Sequence, residues 1–300
     1  NLSGNKIICM EFRWAGRILP LYHPFLLRRG STLFVTILIE IIGPIAILIL
    51  MGYFFERRFR FDLDALTKIL LYLVLPAVII TSLTNSELTE GYFRDIAIFC
   101  VVMYFALFLV SAAVSKIMAQ DKQLSRAFNL SVMFYNSGNY GFPVSDLAFP
   151  GFGLAVQSVI LVVQNILNFT IGLFLITSGQ YSLKDAFLRT LRMPLMYAVL
   201  LGWIIRMFEI RVPNFIWLPI EYLAQALVPM ALVTLGFQLA KTKVGNDLSA
   251  GIASVICRLV ISPVIGFIVV LLLDIQMPLA AILIVSTSFP TAINTVLIAM

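Results

Sequence analysis

The chain has 300 residues, of which 61% are hydrophobic and only 12% carry a charge. Soluble globular domains are about 45–50% apolar and about 25% charged, so this composition excludes a water-soluble enzyme and a disordered protein. The net charge of +6 does not indicate a nucleic-acid binder, because the Lys and Arg residues lie between long apolar blocks. Unbroken runs of about 20 apolar residues also exclude a β-barrel, whose strands alternate over about ten residues. The sequence therefore predicts an all-α, polytopic membrane protein.

The segment before the first apolar block, residues 1–32, is polar and basic and has no helical period. We expect a non-membrane segment here: an interfacial arm, a poorly ordered tail or a wrongly assigned start. Its single histidine, His23, is expected to lie in a loop. No secretory signal peptide is evident, because the first apolar block is too long for one and no small-residue cleavage site follows it.

Nine apolar blocks are each long enough to cross a bilayer, which takes about 20 residues. They lie at residues 33–55, 65–85, 93–118, 124–148, 153–178, 190–208, 215–240, 250–273 and 276–300. Cys100 and Cys257 lie inside these blocks and are expected to pack as small hydrophobes. The sequence has no CxxC motif and no His/Cys cluster, so no metal, haem, disulfide framework or other cofactor is expected.

The basic residues between the blocks are distributed unevenly over the two sides of the membrane. The loops after blocks one, three, five and seven hold twelve of them: Arg57, Arg58, Arg60, Lys68, Lys116, Lys122, Arg126, Lys184, Arg189, Arg192, Lys241 and Lys243. The opposite loops hold Arg94, Arg206 and Arg211. By the positive-inside rule the richer side is cytoplasmic, which predicts that the N-terminus is outside. The basic residues of 1–32 weaken this bias.

Proline and glycine positions recur between the two halves of the chain, which indicates an internal repeat. Pro44 and Gly52 in block one match Pro194 and Gly202 in block six, at an offset of 150 residues. Two further proline pairs recur at offsets of 153 and 147, namely Pro76 with Pro229 and Pro143 with Pro290. Because five blocks is an odd number, the two halves would be oriented oppositely, as in the inverted repeats of secondary transporters.

The predicted domains follow from this repeat. Residues 33–178 form a first repeat of five helices, and residues 179–189 form a short cytoplasmic linker. Residues 190–300 form a second repeat with only four blocks, so the tenth helix is missing, and truncation is the simpler explanation.

Blocks four and nine each contain a segment that cannot form an undisturbed helix. Residues 135–143 read YNSGNYGFP and residues 286–294 read STSFPTAIN. Proline lacks the backbone N–H, and glycine costs about 1 kcal/mol in a helix interior. Non-helical backbone at membrane depth is tolerated only where it is buried in protein or lines a water-filled cavity. The N-termini of half-helices at such a break suit a carboxylate.

We therefore predict that the two broken helices cross and form a substrate-binding site near the middle of the membrane. The candidate residues are Asn136, Gly138, Asn139, Gly141, Pro143, Ser288, Pro290, Thr291 and Asn294. The alternative is that these side chains only cap the broken helices and bridge to neighbouring ones.

Six further polar residues inside the blocks are candidates for coupling or support. Glu40 and Asp146 would hold a coupling proton or ion, or lie near the outer interface. Arg258 would steer an anion, or extend its side chain to the cytoplasmic headgroups. Gln164, Asn168 and Gln225 would complete the pocket or bond to neighbouring helices.

Residues 136–143 resemble the N-x-G-N-x-G-x-P signature of the auxin efflux carrier family. The segments LVLPA at 73–77, RMPL at 192–195 and RLVISP at 258–263 are also similar to that family, and the resemblance covers roughly residues 33–300. It implies ten helices in two inverted five-helix repeats, with a crossover at helices four and nine, and the transport of organic anions: auxin in plants and dicarboxylates in bacteria. The short loop at 179–189 is similar to that of bacterial members, which suggests a bacterial inner membrane.

The function expected from these features is a secondary carrier of a small carboxylate that works by alternating access. Efflux of an anion along an inside-negative potential needs no coupling ion, whereas uptake would need H⁺ or Na⁺. The expected partners are the organic anion and the lipid bilayer, with a homodimer left open and no nucleic acid. The alternatives are an intramembrane enzyme, for which no catalytic motif is recognised, and a channel.

Overall fold

The computed structural model describes residues 35–86, 88–172, 184, 188, 191–242 and 248–291. In chain order the helices of these ranges are α1 (Val35–Phe59), α2 (Leu63–Thr84), α3 (Glu90–Ile117), α4 (Lys122–Met133), α5 (a π turn Ser137–Gly141 followed by Phe142–Ala148), α6 (Gly153–Leu167, with a π turn Asn168–Gly172), α7 (Pro194–Met207), α8 (Asn214–Lys241), α9 (Leu248–Leu272) and α10 (Leu279–Thr287). Over these ranges the chain is all-α, as predicted, and one isolated β-bridge joins Tyr135 to Thr291.

Five of these helices, α1, α2, α3, α8 and α9, are long and apolar enough to cross a membrane. Helices α6 and α7 are apolar but shorter, and α4 with α5 forms the predicted broken block four. Residues 1–32, Asn294 and all of the predicted linker except Lys184 and Leu188 lie outside the described residues. Cys100 and Cys257 are buried free thiols, in agreement with the prediction that they pack as small hydrophobes.

Four prolines inside the helices each follow a widened, π-type turn. The turns Leu38–Ile42, Leu70–Val74, Ser137–Gly141 and Cys257–Ile261 each end two residues before a proline, at Pro44, Pro76, Pro143 and Pro263. Proline has no N–H, and its ring clashes with the carbonyl four residues back. A π turn lengthens the local hydrogen-bonded ring: the N–H before the proline then bonds five residues back, as from Gly43 to Leu38. The prolines are thus accommodated without ending the helix.

Glycines allow two helix pairs to approach closely. Gly52 of α1 lies against the backbone of Val233 in α8, and Gly236 of α8 lies against the backbone of Ile49. In the second pair, a methyl group at Gly202 of α7 would lie 3.3 Å from the Cα of Ile80 in α2. Small residues at such crossings are the usual means of packing helices in a membrane, where the hydrophobic effect gives little drive for association.

The helices form two groups, and the broken segments lie where the groups meet. In the first group α1 packs along α8, and α7 packs along α2. In the second group α3 packs on α4, α6 and α9, while α10 packs on α9. The π turn of α5 contacts α8 of the first group and α6 of the second, so both groups touch the segment around the break.

Candidate functional site

The break in the fourth predicted block lies between α4 and α5. Phe134 leaves the helix with an extended backbone (φ −110°, ψ 124°), and Asn136 then caps the N-terminus of α5. The Asn136 side-chain oxygen accepts the N–H of Asn139 at 3.0 Å, and its carbonyl accepts the N–H of Gly141 at 2.9 Å. A short polar cap of this kind is the usual way for a helix to satisfy its first N–H groups.

The second break follows α10 and is paired directly with the first. The N–H of Asn136 donates to the carbonyl of Pro290 at 2.8 Å, and Tyr135 forms an antiparallel bridge with Thr291. The hydroxyl of Thr291 donates to the carbonyl of Ser131 at 2.9 Å. The two segments that sequence reasoning singled out are therefore in contact through their backbones.

Arg258 of α9 binds both breaks from one buried position. Its side chain is only 1% exposed, so it does not extend to the headgroups, and that alternative was wrong. The guanidinium donates to the carbonyl of Val132 in α4 at 2.9 Å and to those of Thr287 and Phe289 at 3.0 and 3.1 Å. Its central carbon also lies 4.9 Å from the centre of the Tyr135 ring.

The charge of Arg258 has a clear physical role. Helix C-termini carry unpaired carbonyls and a negative partial charge, and α4 and α10 both end at the guanidinium. Arg258 therefore satisfies the carbonyl groups of Val132 and Phe289 at the two breaks in a low-dielectric region. It also shares the carbonyl of Thr287 with the Ser262 hydroxyl, which donates to it at 2.8 Å.

A buried polar network behind the break contains the predicted candidate Gln164 and also Gln157, which sequence reasoning missed. Gln157 of α6 is fully buried; its amide donates to the carbonyl of Ser137 at 3.1 Å, and its oxygen accepts from Ser145 and Ser286, each at 3.2 Å. The hydroxyl of Ser137 donates to Gln164. Gln157 and Gln164 are seven residues apart and so share one face of α6, and this spacing was the signal that could have identified the network.

Gly138 and Asn139 form the open part of the first break. A methyl group at Gly138 would meet no atom within 4 Å, and the Asn139 side chain has no hydrogen-bond partner within the described ranges. Gly141 differs, because a methyl group there would meet the Gln157 amide and lie 3.0 Å from the ring of Phe289. Pro143 is buried one turn further along α5.

A cavity of about 540 Å³ lies beside the paired breaks. Ile37, Ile41 and Ile45 of α1, Val144 and Leu147 of α5, and Val285 of α10 supply apolar walls. Tyr140 and Ser288 lie at its boundary with the break, but Asn136, Asn139 and Thr291 do not line it. Of the predicted binding residues within the described ranges, only Ser288 lines the cavity.

The remaining candidates differ in how closely they approach the break. Gln164 takes part in the buried network, and Asn168 begins the π turn that follows Leu167 in α6. Asp146 is half-buried one turn after Pro143 and has no hydrogen-bond partner within the described part of the chain. Glu40 and Gln225 are exposed, and neither lines the cavity.

Gln225 lies at the junction between the two segments of α8. It is the last residue of the first segment of α8, Asn214–Gln225, just before the helix bends into Leu227–Lys241. Among the described residues, no group of three or more His, Cys, Asp or Glu side chains could hold a metal ion.

Comparisons with known proteins agree with this architecture. The model of a family described as "Membrane transport protein" matches residues 37–300. The chain is also 24% identical over 272 residues to a protein of Methanocaldococcus jannaschii described as an uncharacterized transporter, covering 86% of this chain and 87% of that protein.

Proposed function

The chain belongs to the membrane transport protein family, the auxin efflux carrier family that its break motif resembles, and from this we propose that it is a secondary carrier of a small organic anion. The observation that supports this most directly is the pairing of Asn136 with Pro290 at 2.8 Å. It joins two interrupted helices inside an apolar protein and leaves the N-terminus of α5 open at Gly138.

The substrate's carboxylate would bind at the N-terminus of α5. Free N–H groups and the positive end of a helix dipole favour an anion there, and the unpartnered amide of Asn139 can add a donor. Space for a ligand exists at Gly138, where an added methyl group would have no neighbour within 4 Å. Thr291, and Asn294 outside the described residues, would act from the second break.

The apolar cavity adjoins the break at Tyr140 and Ser288, so a substrate whose carboxylate lies at the N-terminus of α5 would extend past Tyr140 into the cavity. This arrangement favours a carboxylate that carries an apolar body over a compact dicarboxylate. The cavity walls come mainly from isoleucine, valine and leucine side chains of α1, α5 and α10. A second carboxylate in such a cavity would lose its hydration without a charged partner, which is costly. An apolar body would gain about 25 cal/mol for each Å² of its surface removed from water.

The two helix groups would provide alternating access by an inverted repeat. Gly52 of α1 packs on Val233 of α8. Likewise, Gly202 of α7 packs on Ile80 of α2. Gly202 follows Gly52 by 150 residues and Ile80 precedes Val233 by 153, which are offsets of the predicted repeat. Equivalent contacts in the two halves support a five-helix repeat at 33–178 and an incomplete second repeat of four helices at 190–300, joined by the linker 179–189. One group would then move against the other around the paired breaks.

Orientation and energetics follow the charge distribution. We place the N-terminus outside a bacterial inner membrane, because the basic loops then face the cytoplasm. Export of a monovalent anion would be driven by the inside-negative potential at about 2.3 kcal/mol per 100 mV. Uptake would need H⁺ or Na⁺. Asp146 of α5 is the proposed coupling residue, because its carboxyl group lies in the helix that begins at the break. Glu40 is placed at the outer interface.

The test is transport by purified protein in proteoliposomes, with a panel of mono- and dicarboxylates. Asn139→Ala should weaken substrate binding roughly tenfold or more, the usual effect of losing a hydrogen bond to a charged group. Asn214→Ala is the matched control, because Asn214 is exposed at the start of α8. Unchanged flux and affinity in Asn139→Ala would reject this binding site.

A further inference from the structure

A second polar cavity lies at the other end of α1, far along the helix from the cavity beside the breaks. Its volume is about 400 Å³, and it is lined by Glu56, Arg57 and Arg60 from α1 and its C-terminal cap and by Ala240 and Lys241 from the end of α8. The proposed transport function assigns no role to this cavity. Its lining carries three cationic groups and one carboxylate.

The carboxylate of this cavity is already neutralised. Glu56 is only 4% exposed, and its oxygens accept the N–H of Phe61 at 2.9 Å and lie 3.3 Å from the Lys241 ammonium. Lys241 also donates to the carbonyl of Phe61 at 2.8 Å. These bonds hold the turn after α1 against the end of α8, so the turn is fixed before any ligand binds.

The other nearby carboxylates are engaged as well. Asp62 caps α2 by accepting the N–H groups of Asp64 and Ala65, and Asp64 pairs with Lys68 at 2.7 Å. Within the described ranges Arg57, Arg58 and Arg60 therefore have no carboxylate partner. Three guanidinium groups within four positions leave a local positive charge at the helix end.

The conformation of Arg60 places one of these guanidiniums at the cavity. Its backbone is left-handed (φ 54°, ψ 64°), a region that costs a non-glycine residue roughly 1–2 kcal/mol. Glycine is the usual residue at this helix-terminating position, so the backbone of an arginine here is strained. Its side chain lines the cavity without any bonding partner in the described part of the chain.

Exposed aromatic side chains surround the cavity, as expected at the end of a helix that faces lipid. Phe55, Phe59 and Phe61 are each 43–59% exposed beside the arginines, and Arg58 lies 5.4 Å from the centre of the Phe59 ring. The stretch of α1 before them exposes Ile47, Leu50 and Phe54, which gives acyl chains an apolar surface to follow. Basic clusters at the end of a membrane helix attract anionic lipid headgroups.

We propose that the cavity lined by Arg57 and Arg60 binds the phosphodiester of an anionic phospholipid. The two guanidiniums would donate to the phosphate oxygens, for which their planar geometry is suited. The acyl chains would lie along the exposed face of α1. The Glu56–Lys241 pair positions the turn and does not touch the lipid.

The experiment measures lipid binding to purified protein in a neutral detergent by native mass spectrometry. Dioleoyl phosphatidylglycerol and dioleoyl phosphatidylcholine are titrated separately, and glycerol 3-phosphate is added as a competitor. We expect tighter binding of phosphatidylglycerol than of phosphatidylcholine, and no competition at equal concentrations of glycerol phosphate. In the double variant Arg57→Gln/Arg60→Gln, phosphatidylglycerol affinity should fall by about fivefold for each arginine removed.

The matched control is Arg211→Gln, an exposed arginine next to the opposite end of α8, which should bind phosphatidylglycerol like the unmodified protein. An unchanged thermal unfolding midpoint in the double variant would show that the helix ends remain folded. Equal binding of the two lipids, or undiminished binding in the double variant, would overturn the proposal. Competition by glycerol phosphate at the lipid's own concentration would also overturn it, in favour of a soluble anion.

Discussion

The N–H of Asn136 donates to the carbonyl of Pro290 at 2.8 Å, so each broken helix supplies a hydrogen-bond partner to the other. In a membrane interior an unsatisfied backbone group costs several kcal/mol. Neither break is therefore stable in the absence of the other. Arg258 also bonds to both segments, so each break is tied to the other through a side chain as well as through the backbone.

Arg258→Leu should destabilise the protein strongly. The substitution removes the donor of the Val132 and Phe289 carbonyls, at about 1–3 kcal/mol for each buried acceptor left unsatisfied, while the Thr287 carbonyl keeps the Ser262 hydroxyl. Thermal unfolding in detergent measures the effect, and we expect a midpoint lower by on the order of 10 °C. Arg211→Leu, at an exposed position, is the control. A stable Arg258→Leu protein would contradict the role given to the guanidinium.

Gly236→Ala should disrupt the pairing of α1 with α8. A methyl group at Gly236 would overlap the carbonyl of Ile49 and the backbone of Tyr53, and backbone atoms in a packed helix cannot move aside easily. Such overpacking costs typically 1–3 kcal/mol. The matched substitution Gly251→Ala meets no atom within 4 Å and should be neutral or stabilising, since alanine is the better helix former. Similar unfolding midpoints for the two variants would refute the close approach.

The positions of the breaks could be predicted from the sequence because their cause is local. Proline lacks an N–H wherever it occurs, so Pro290 marks the end of α10, whereas Pro143 lies inside α5 and the first break precedes it at residues 134–136. The polar residues of 136–139 then identify the first break as one that needs capping. The four π turns were not predicted, because the same proline can kink a helix, end it or widen its turn, depending on neighbouring packing.

The partners of the breaks could not be predicted, because they come from distant parts of the chain. Gln157 looks like one polar residue in an apolar helix until Ser137, Ser145 and Ser286 are placed around it. For Arg258 the sequence offered anion steering or extension to the headgroups, and the buried carbonyl acceptors of the two breaks were not predicted. These acceptors reach Arg258 only through the packing of α9 against α4 and α10.

Gly138→Ala should separate transport from folding. The added methyl group meets no atom within 4 Å, so the unfolding midpoint should change little, by the equivalent of about 1 kcal/mol or less. The methyl group would nevertheless occupy the space proposed for the substrate's carboxylate, and flux in proteoliposomes should fall. In Gly141→Ala the methyl group meets Gln157 and Phe289, and stability should fall as well. Normal flux in a well-folded Gly138→Ala protein would place the binding site elsewhere.

Val144→Phe should narrow the apolar cavity and select against large substrates. Val144 lines that cavity together with Leu147 and Val285, so a larger ring there removes space that an apolar body would use. Substrate-induced thermal stabilisation reports binding directly, since a ligand that binds only the folded state raises its stability. We expect Val144→Phe to lose stabilisation by the bulkiest carboxylates of the panel while retaining that by acetate. Val255→Phe, at a lipid-facing position of α9 that is 55% exposed, should respond like the unmodified protein. If Val144→Phe responds to every acid as the unmodified protein does, the cavity does not hold the substrate's body.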